Sequence, residues 1–415
     1  MSVRAASHQI GAKMLQQLLQ GPGSFERERP CRCGQKARFR ELRSRRLLTA
    51  IGAVRFVRPY YLCSGCHQGQ SPRDVELDVE NTEYSPGVRR MMALVGSQGS
   101  FAQGREQLKE LAGLAVTTKA VERQAEAIGS DIAAQERAER KKALQLELPS
   151  LSGPSIPVLY LEMDGTGVPM VSEELQGRLG KVPGENPRTR EAKLGCVFTQ
   201  TRRDREGHAV RDEASTTYTG AIEGAEEFGK RMYREAWQRG WSRAKKKVVI
   251  GDGAEWIWNI VAEHFPEALQ IVDLYHARQH LWEVARQLFP NEEGRQKTWV
   301  RVHQKRSLDK GRIEPLVQVL RSHGIAHPAL SKKIHAEAEY FERNAERMRY
   351  PKFRRQHLFI GSGVIEAACK TVVGSRLKQS GMFWTVRGAN AILALRANRL
   401  SGQFEQYWEH RTLAA

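Results

Sequence analysis

The chain has 415 residues, 40% hydrophobic and 27% charged, which leaves enough apolar material for a folded core and excludes a disordered tail. Its 66 Lys and Arg against 47 Asp and Glu give a formal charge of +19, so the expected partner is a polyanion, nucleic acid ahead of an anionic membrane surface. No apolar run reaches signal-peptide or spanning length, Met91–Val95 being typical of the longest, so the expectation is a soluble, cytoplasmic protein with no membrane partner. A length well above 150 residues predicts several folded units, and the six cysteines are too few for a disulfide scaffold.

Residues 1–25 read as a helical lead, Ala12–Gln20, closed by the breaker Gly21-Pro22-Gly23. Residues 26–80 carry two close cysteine pairs, Cys31-x-Cys33 and Cys63-x-x-Cys66, around a strand-like stretch. Four soft thiolates suffice for a closed tetrahedral structural zinc site, the alternative being unmetallated thiols. The spacing departs from a usual zinc ribbon: one residue lies inside the first pair and 29 separate the pairs. Between Cys31 and Cys66 nine Lys or Arg face one acid, Glu41, and Arg32, Lys36, Arg38, Arg43, Arg45 and Arg46 are the candidate phosphate contacts. A zinc-ribbon-like basic module that docks on DNA is expected here.

Residues 81–148 show helical spacing without β-branched runs. Phe101–Ala112 predicts a helix, Gly113–Val116 a tight turn, and Thr117 the N-cap of a second helix, the pattern of a helix-turn-helix or of a plain helical hairpin. Lys119 and Arg123 on the second helix are candidate DNA contacts. Residues 149–157, rich in Ser, Gly and Pro, read as a linker. Strand-like segments then follow at Ile156–Met163, Lys193–Thr201, Lys247–Ile250 and Leu269–Val272, interleaved with helices, which predicts an α/β layer fold with a partly parallel sheet over 158–289. Residues 290–355 carry no strand signal and read as a helical insertion with a basic knot, in which Arg301, Lys305 and Arg306 are further candidate DNA contacts. A closing helix is expected within 356–400, after Gly361-Ser362-Gly363, and residues 401–415 form a tail with Phe404, Tyr407 and Trp408. Trp384 reads as a core residue rather than a base-stacking wedge, and Cys196 and Cys369 as core thiols.

Two of these strands end in an acid followed by glycine, Asp164-Gly165 and Asp252-Gly253, and a third ends in Asp273-Leu274-Tyr275-His276. An acid at the carboxyl end of a buried strand points into the crevice where α/β sheets place ligands, although Asp-Gly is also a common turn. Glu366, in the first turn of the predicted closing helix, completes a candidate set; its alternative role is to complement that helix's dipole. In a strongly basic chain such a set suits phosphodiester chemistry, because two Mg²⁺ ions about 3.5 to 4 Å apart take hard oxygen ligands and act on the attacking and leaving oxygens. His276 and His280 are spaced as in a zinc-protease helix, but Ala277 stands where the general base would be needed.

The order Asp164, Asp252, Glu366, the Gly-Asp-Gly-Ala-Glu-Trp run, Asp273-x-x-His276 and Gly-Ser-Gly-x-Ile-Glu together resemble an insertion-sequence DNA transposase of the acid-triad (DDE) type, closest to the Kra-type (ISKra-like) family. The resemblance implies an RNase H-like mixed-sheet catalytic core interrupted by a helical insertion. It implies Asp164, Asp252 and Glu366 as ligands of two Mg²⁺ or Mn²⁺ ions, with His276 as a phosphate or water positioner. It further implies double-stranded DNA, both element ends and target, as partner, a homodimer or higher assembly on that DNA, and a nucleoid-associated location. Two alternatives stand beside it: a zinc-containing DNA-binding regulator without catalysis, and an RNase H-like nuclease or resolvase without strand transfer.

Overall fold

The computed structural model describes residues 3–20, 25–145, 153–179 and 186–414. The predicted breaker Gly21-Pro22-Gly23 and residues 149–152 of the predicted linker lie outside the described residues. The chain forms two compact units, 1–132 with 402–415, and 133–401.

Unit 1 opens with α1 (Val3–Leu19), longer than the predicted lead. A four-stranded antiparallel sheet follows in the order β1-β2-β3-β4: β1 (Glu28–Pro30), β2 (Lys36–Thr49), β3 (Gly52–Cys63) and β4 (Gly69–Gln70). Its centre is one long hairpin, in register from Ala37↔Cys63 to Thr49↔Gly52, with a bulge between Phe39 and Glu41. Gly52, at φ +116°, makes the tight reversal that an L side chain resists. Along the hairpin Leu47, Val54 and Phe56 point inward onto Val79 and onto Ala12, Leu15 and Leu19 of α1. Most arginines alternate to the other face.

The short α2 (Pro72–Glu76) leads to three helices, α3 (Pro86–Gln98), α4 (Phe101–Ala112) and α5 (Thr118–Leu144). α4 begins with a capping box, Ser100 with Gln103, and ends on Gly113 in the left-handed conformation; the Thr117 hydroxyl accepts from the Ala120 N–H at 3.1 Å. The helix, turn and Thr cap therefore fall where the sequence puts them. Val88, Met92, Leu108, Leu114 and Val121 form the shared core of the three helices.

Unit 2 is built on a mixed five-stranded sheet in the order β11-β10-β5-β6-β9. β5 (Ile156–Pro169) is central and runs antiparallel to β6 (Thr189–Gln200) along its whole length. β7 (Arg202–Arg203) and β8 (Ala209–Val210) form a small ribbon before β9 (Thr217–Ala221), which pairs antiparallel with β6. After α6 (Ala225–Gln238), β10 (Ala244–Gly251) lies parallel to β5; after α7 (Glu255–His264), β11 (Leu269–Val272) lies parallel to β10. β5 from Val158 to Leu161 and β10 from Val248 to Gly251 read as apolar runs because both faces are covered there, whereas Lys245 and Lys246 at the start of β10 are exposed.

β5 departs from expectation at the candidate acid. Asp164 is not followed by a turn: β10 leaves β5 at Ile250↔Glu162, but β6 stays paired through Pro169↔Thr189, so β5 continues seven residues past Glu162. The parallel half of the sheet ends where Asp164 stands, and the antiparallel half carries on.

α8 (Leu274–Leu288), α9 (Glu293–Arg306), α10 (Ile313–Ala326), α11 (Ser331–Arg343) and α12 (Tyr350–Arg355) come next without a strand. α13 (Gly363–Ala368) continues through a π-helical turn, Cys369–Gly374, into α14 (Ser375–Leu377), and α15 (Val386–Leu400) packs on β9. The last helix, α16 (Phe404–Ala414), belongs to unit 1, where Arg411 pairs with Asp78 at 2.7 Å and Asp131 at 2.8 Å. No helix among the described residues is long and apolar enough to cross a membrane.

Candidate functional site

The parallel strands bring three acids to one level, with a fourth, Glu162, two residues before it. Ile250 pairs with Glu162 and Gly251 with Val272, so two residues on from the first pair and one on from the second the register sets Asp252 beside Asp164 and Asp273. Adjacent strands lie about 4.8 Å apart, and residues two apart on a strand share a face, so Glu162 and Asp164 look the same way. Glu366 comes from α13, which packs on β5 and β6.

These five carboxylates divide into two kinds. Glu162 and Asp273 are fully buried and committed to backbone. Glu162 Oε2 accepts the Ile365 N–H at 2.8 Å, inside the first turn of α13. Asp273 caps α8, accepting from Tyr275 N–H and, at 3.0 Å, His276 N–H, and its other oxygen accepts from both the N–H, at 2.6 Å, and the hydroxyl of Ser362. The two therefore seat the N-terminal end of the Glu366 helix on the sheet, satisfying N–H groups that a helix start leaves orphaned. Glu162 was not singled out in the sequence; its signal is one acid within an apolar strand, two residues before Asp164. Burial, opposed by the Ile365 N–H, pushes its carboxyl up to about 8.

Asp164, Asp252 and Glu366 are the open members. Asp164 is half-buried; its Oδ1 accepts from the Gly165 N–H at 2.7 Å and its Oδ2 from the Cys369 thiol at 3.3 Å. Burial raises its pKa, as does the nearby charge of Asp252, while His276 works the other way. Asp252 Oδ1 accepts from Ala254 N–H at 2.8 Å across Gly253, whose φ of +98° makes the turn that was expected after both aspartates. Glu366 is exposed, and its charge reaches both Glu162 and Cys369. The helix-start role that Glu366 itself offered is filled by Glu162 and Asp273. Cys369, expected in the core, instead touches Asp164, and burial raises its thiol pKa, which keeps it protonated as the donor. The charge of Asp252 acts on Asp164, and that of Glu366 on Glu162 and on the Cys369 thiol that Asp164 accepts from; the three acids do not all close to within 4.8 Å, which among the described residues only the four cysteines do.

Tyr340 of α11 covers the turn after β10, donating its hydroxyl to the Asp252 carbonyl at 2.9 Å. Its ring stacks on His280 with centroids 3.6 Å apart, and His280 Nδ1 meets Glu337 at 2.6 Å. His276 is half-buried with its ring 5.0 Å from that of His280. The helical segment thus supplies one wall of the cluster.

In unit 1 the open end of the hairpin gathers Cys31, Cys33, Cys63 and Cys66, all with free thiols. The Sγ atoms of Cys31 and Cys66 are 3.5 Å apart and those of Cys33 and Cys63 are 3.6 Å apart. A tetrahedron with bonds of about 2.3 Å has sulfur–sulfur edges of about 3.8 Å, so the thiols match a structural zinc site in number, softness and spacing. The 29-residue interval is explained by the hairpin, whose strands run out and return to bring the pairs together. Backbone N–H donation from Cys66, with further help from Gly65, holds the Cys63 thiol down to about 6 against the opposing effect of burial, which favours the thiolate that binds metal.

Around this site Arg32, Lys36, Arg38, Arg43 and Arg46 are exposed, with Arg43 lying 3.4 Å over the Tyr60 ring. Arg45 differs: its guanidinium is held by Asp74 and by the carbonyls of Val79 and Thr82, and Arg58 joins the same Asp74 at 2.7 Å. Arg123, Arg301, Lys305 and Arg306 are exposed, and Lys119 meets Glu122 at 2.6 Å.

No curated protein matches the chain. Among solved structures the chain resembles the "Drosophila P element transposase strand transfer complex", with 9% identity, 81% of this chain and 84% of that chain covered, and a TM-score of 0.27. A family model matches residues 2–411, nearly the whole sequence, and the chain accordingly belongs to the Uncharacterised protein family (UPF0236).

Proposed function

We propose that the protein is a DNA transposase with an RNase H-like core, which binds the ends of its own mobile element, hydrolyses a phosphodiester to free a 3′-hydroxyl and joins that end to target DNA. The observation that carries the reading is the division among five acids: Glu162 and Asp273 are buried and bonded to the start of α13, while Asp164 and Asp252 are partly exposed and Glu366 is exposed, the three coming from distant parts of the chain. A mixed sheet with the Asp164 strand at its centre, and a helical segment interposed before the Glu366 helix, is the framework such a core requires.

The open carboxylates are hard oxygen donors of the kind that magnesium or manganese takes, so Asp164, Asp252 and Glu366 are the residues that would hold two such ions. When bound, the pair would stabilise charge on the attacking and leaving oxygens. The chain's own contributions are positional. Glu162 and Asp273 fix the Glu366 helix, Cys369 orients Asp164, and Tyr340 holds the Asp252 turn. His276 would position a phosphate or water. The zinc-ribbon-like module, with zinc on its four cysteines, would present Arg32, Lys36, Arg38, Arg43 and Arg46 to the DNA backbone, aided by Lys119 and Arg123 on the helical block and by Arg301, Lys305 and Arg306 on α9. Paired end joining asks for two copies on DNA.

Purified protein with Mg²⁺ and DNA carrying the flanking element ends tests this directly. Strand cleavage and joining should occur in the wild type and be lost in Asp164→Ala, Asp252→Ala and Glu366→Ala with DNA binding kept. Full activity in all three variants would remove the triad. Cleavage without joining would leave a nuclease or resolvase, and metal-independent binding without cleavage would leave a regulator.

A further inference from the structure

Trp384 is buried, donating its indole N–H to the Leu377 carbonyl at 3.1 Å, with the Arg376 guanidinium 4.9 Å over its ring. Its backbone is pinned to the far end of β5: its N–H donates to the Pro169 carbonyl at 3.1 Å, and its carbonyl accepts from Val171 N–H at 3.0 Å. Phe383, one residue earlier, therefore stands on a fixed base, yet its ring is 66% exposed. That ring is one wall of a shallow slot whose other apolar walls are Met170, Val171, Leu175 and Pro187, with Arg188 and Glu173 at the lip. Lys378 and Arg387, both exposed, flank Phe383 in sequence, and Lys378 donates to the Thr166 hydroxyl, two residues beyond Asp164 on β5. At about 3.3 Å per residue, the run of β5 from Asp164 to Met170 sets the slot about 20 Å from the carboxylate cluster.

We infer that this slot receives an unpaired nucleobase of a DNA strand running along β5 from the carboxylates, with Phe383 stacked on the base and Arg188, Lys378 and Arg387 on the flanking phosphates. An aromatic platform beside a cationic track is how proteins hold single strands, because every base offers a flat face and every linkage a charge. Arg188, Lys378 and Arg387 stand against Glu173, because Glu174 beside it is taken up by Arg190 at 3.4 Å and by the Val386 N–H at 2.8 Å; this balance favours an anionic partner, and a paired, stacked base has no free face to offer. The inference rests on the proposed function for its class of partner and on no catalytic step.

Irradiating the full chain with a 20-nucleotide oligo-dT carrying single 5-iodouracil substitutions, then mapping the crosslinked peptides, tests it. The peptide containing Phe383 should crosslink to the single strand at least fivefold more than to the corresponding duplex. Phe383→Leu should abolish that crosslink, Phe383→Trp should keep it, and overall oligonucleotide affinity should stay within about twofold because the basic hairpin still binds. DNA binding with crosslinks only elsewhere, or an unchanged yield in Phe383→Leu, would remove the slot and leave the proposed function standing. No binding of either DNA form would remove both.

Discussion

The cysteine site and the carboxylate cluster solve the same topological problem by opposite means. Each collects ligands from remote parts of the chain, the first through a hairpin that returns on itself and the second through parallel strands and a late helix. The thiol pairs lie 3.5 and 3.6 Å apart, near the sulfur–sulfur edge of about 3.8 Å around one shared zinc, whereas the three open acids do not all close to within 4.8 Å. Ionised carboxylates repel, and burial together with the charge of Asp252 raises Asp164 toward its protonated form. A closed set of four soft donors suits a structural ion, and under the proposed function an open set of hard ones would leave room for a substrate.

The comparison breaks most visibly at the cysteines. Cys63→Ser should lower bound zinc from about one ion per chain to none and unfold the hairpin, because a structural zinc contributes about 10–16 kcal/mol in small domains. Elemental analysis with amide exchange over 31–66 checks both. A fully protected hairpin in metal-free protein would show that the thiols need no ion.

The carboxylates are sharpened by changing two glutamates alike. Glu366→Gln removes an open charge and should slow strand cleavage by about 10³-fold or more, the scale of losing several kcal/mol of charge stabilisation. Glu162→Gln can still accept the Ile365 N–H and should stay within about threefold of wild type. Equal losses in both would erase the distinction between open and seating acids. Glu162→Ala, by contrast, leaves that N–H buried and unpaired, and should cost about 1–3 kcal/mol in urea denaturation.

How much of this the sequence carries depends on the range of the interactions. The α4–turn–α5 corner is legible because a capping box, a left-handed Gly113 and a Thr cap are local. Asp252 is legible for the same reason, its turn being made by Gly253. Asp164 carries the same Asp-Gly spelling but lies within a strand, since its partner there, Leu194 of β6, is remote in sequence and keeps the backbone extended past the acid. Glu162 and Cys369 escape because their roles exist only once α13 has docked on β5. The arginines fail similarly: periodicity puts Arg45 and Arg46 in one basic run, and only Asp74 on α2 separates them.

That last pair gives the finest test. Arg46 is exposed on the hairpin, while Arg45 is drawn inward by Asp74 and two carbonyls. If the outer face meets phosphates, Arg46→Ala should reduce the slope of log affinity against log salt by about one, with stability unchanged. Arg45→Ala should leave that slope alone and instead lower stability by about 1–3 kcal/mol, because the buried Asp74 carboxylate loses one of its two guanidinium partners. Salt titrations of DNA binding with parallel denaturation curves separate the two. The reverse pattern would mean that Arg45 leaves its internal partners to reach DNA, and the hairpin's two faces would then have to be reassigned.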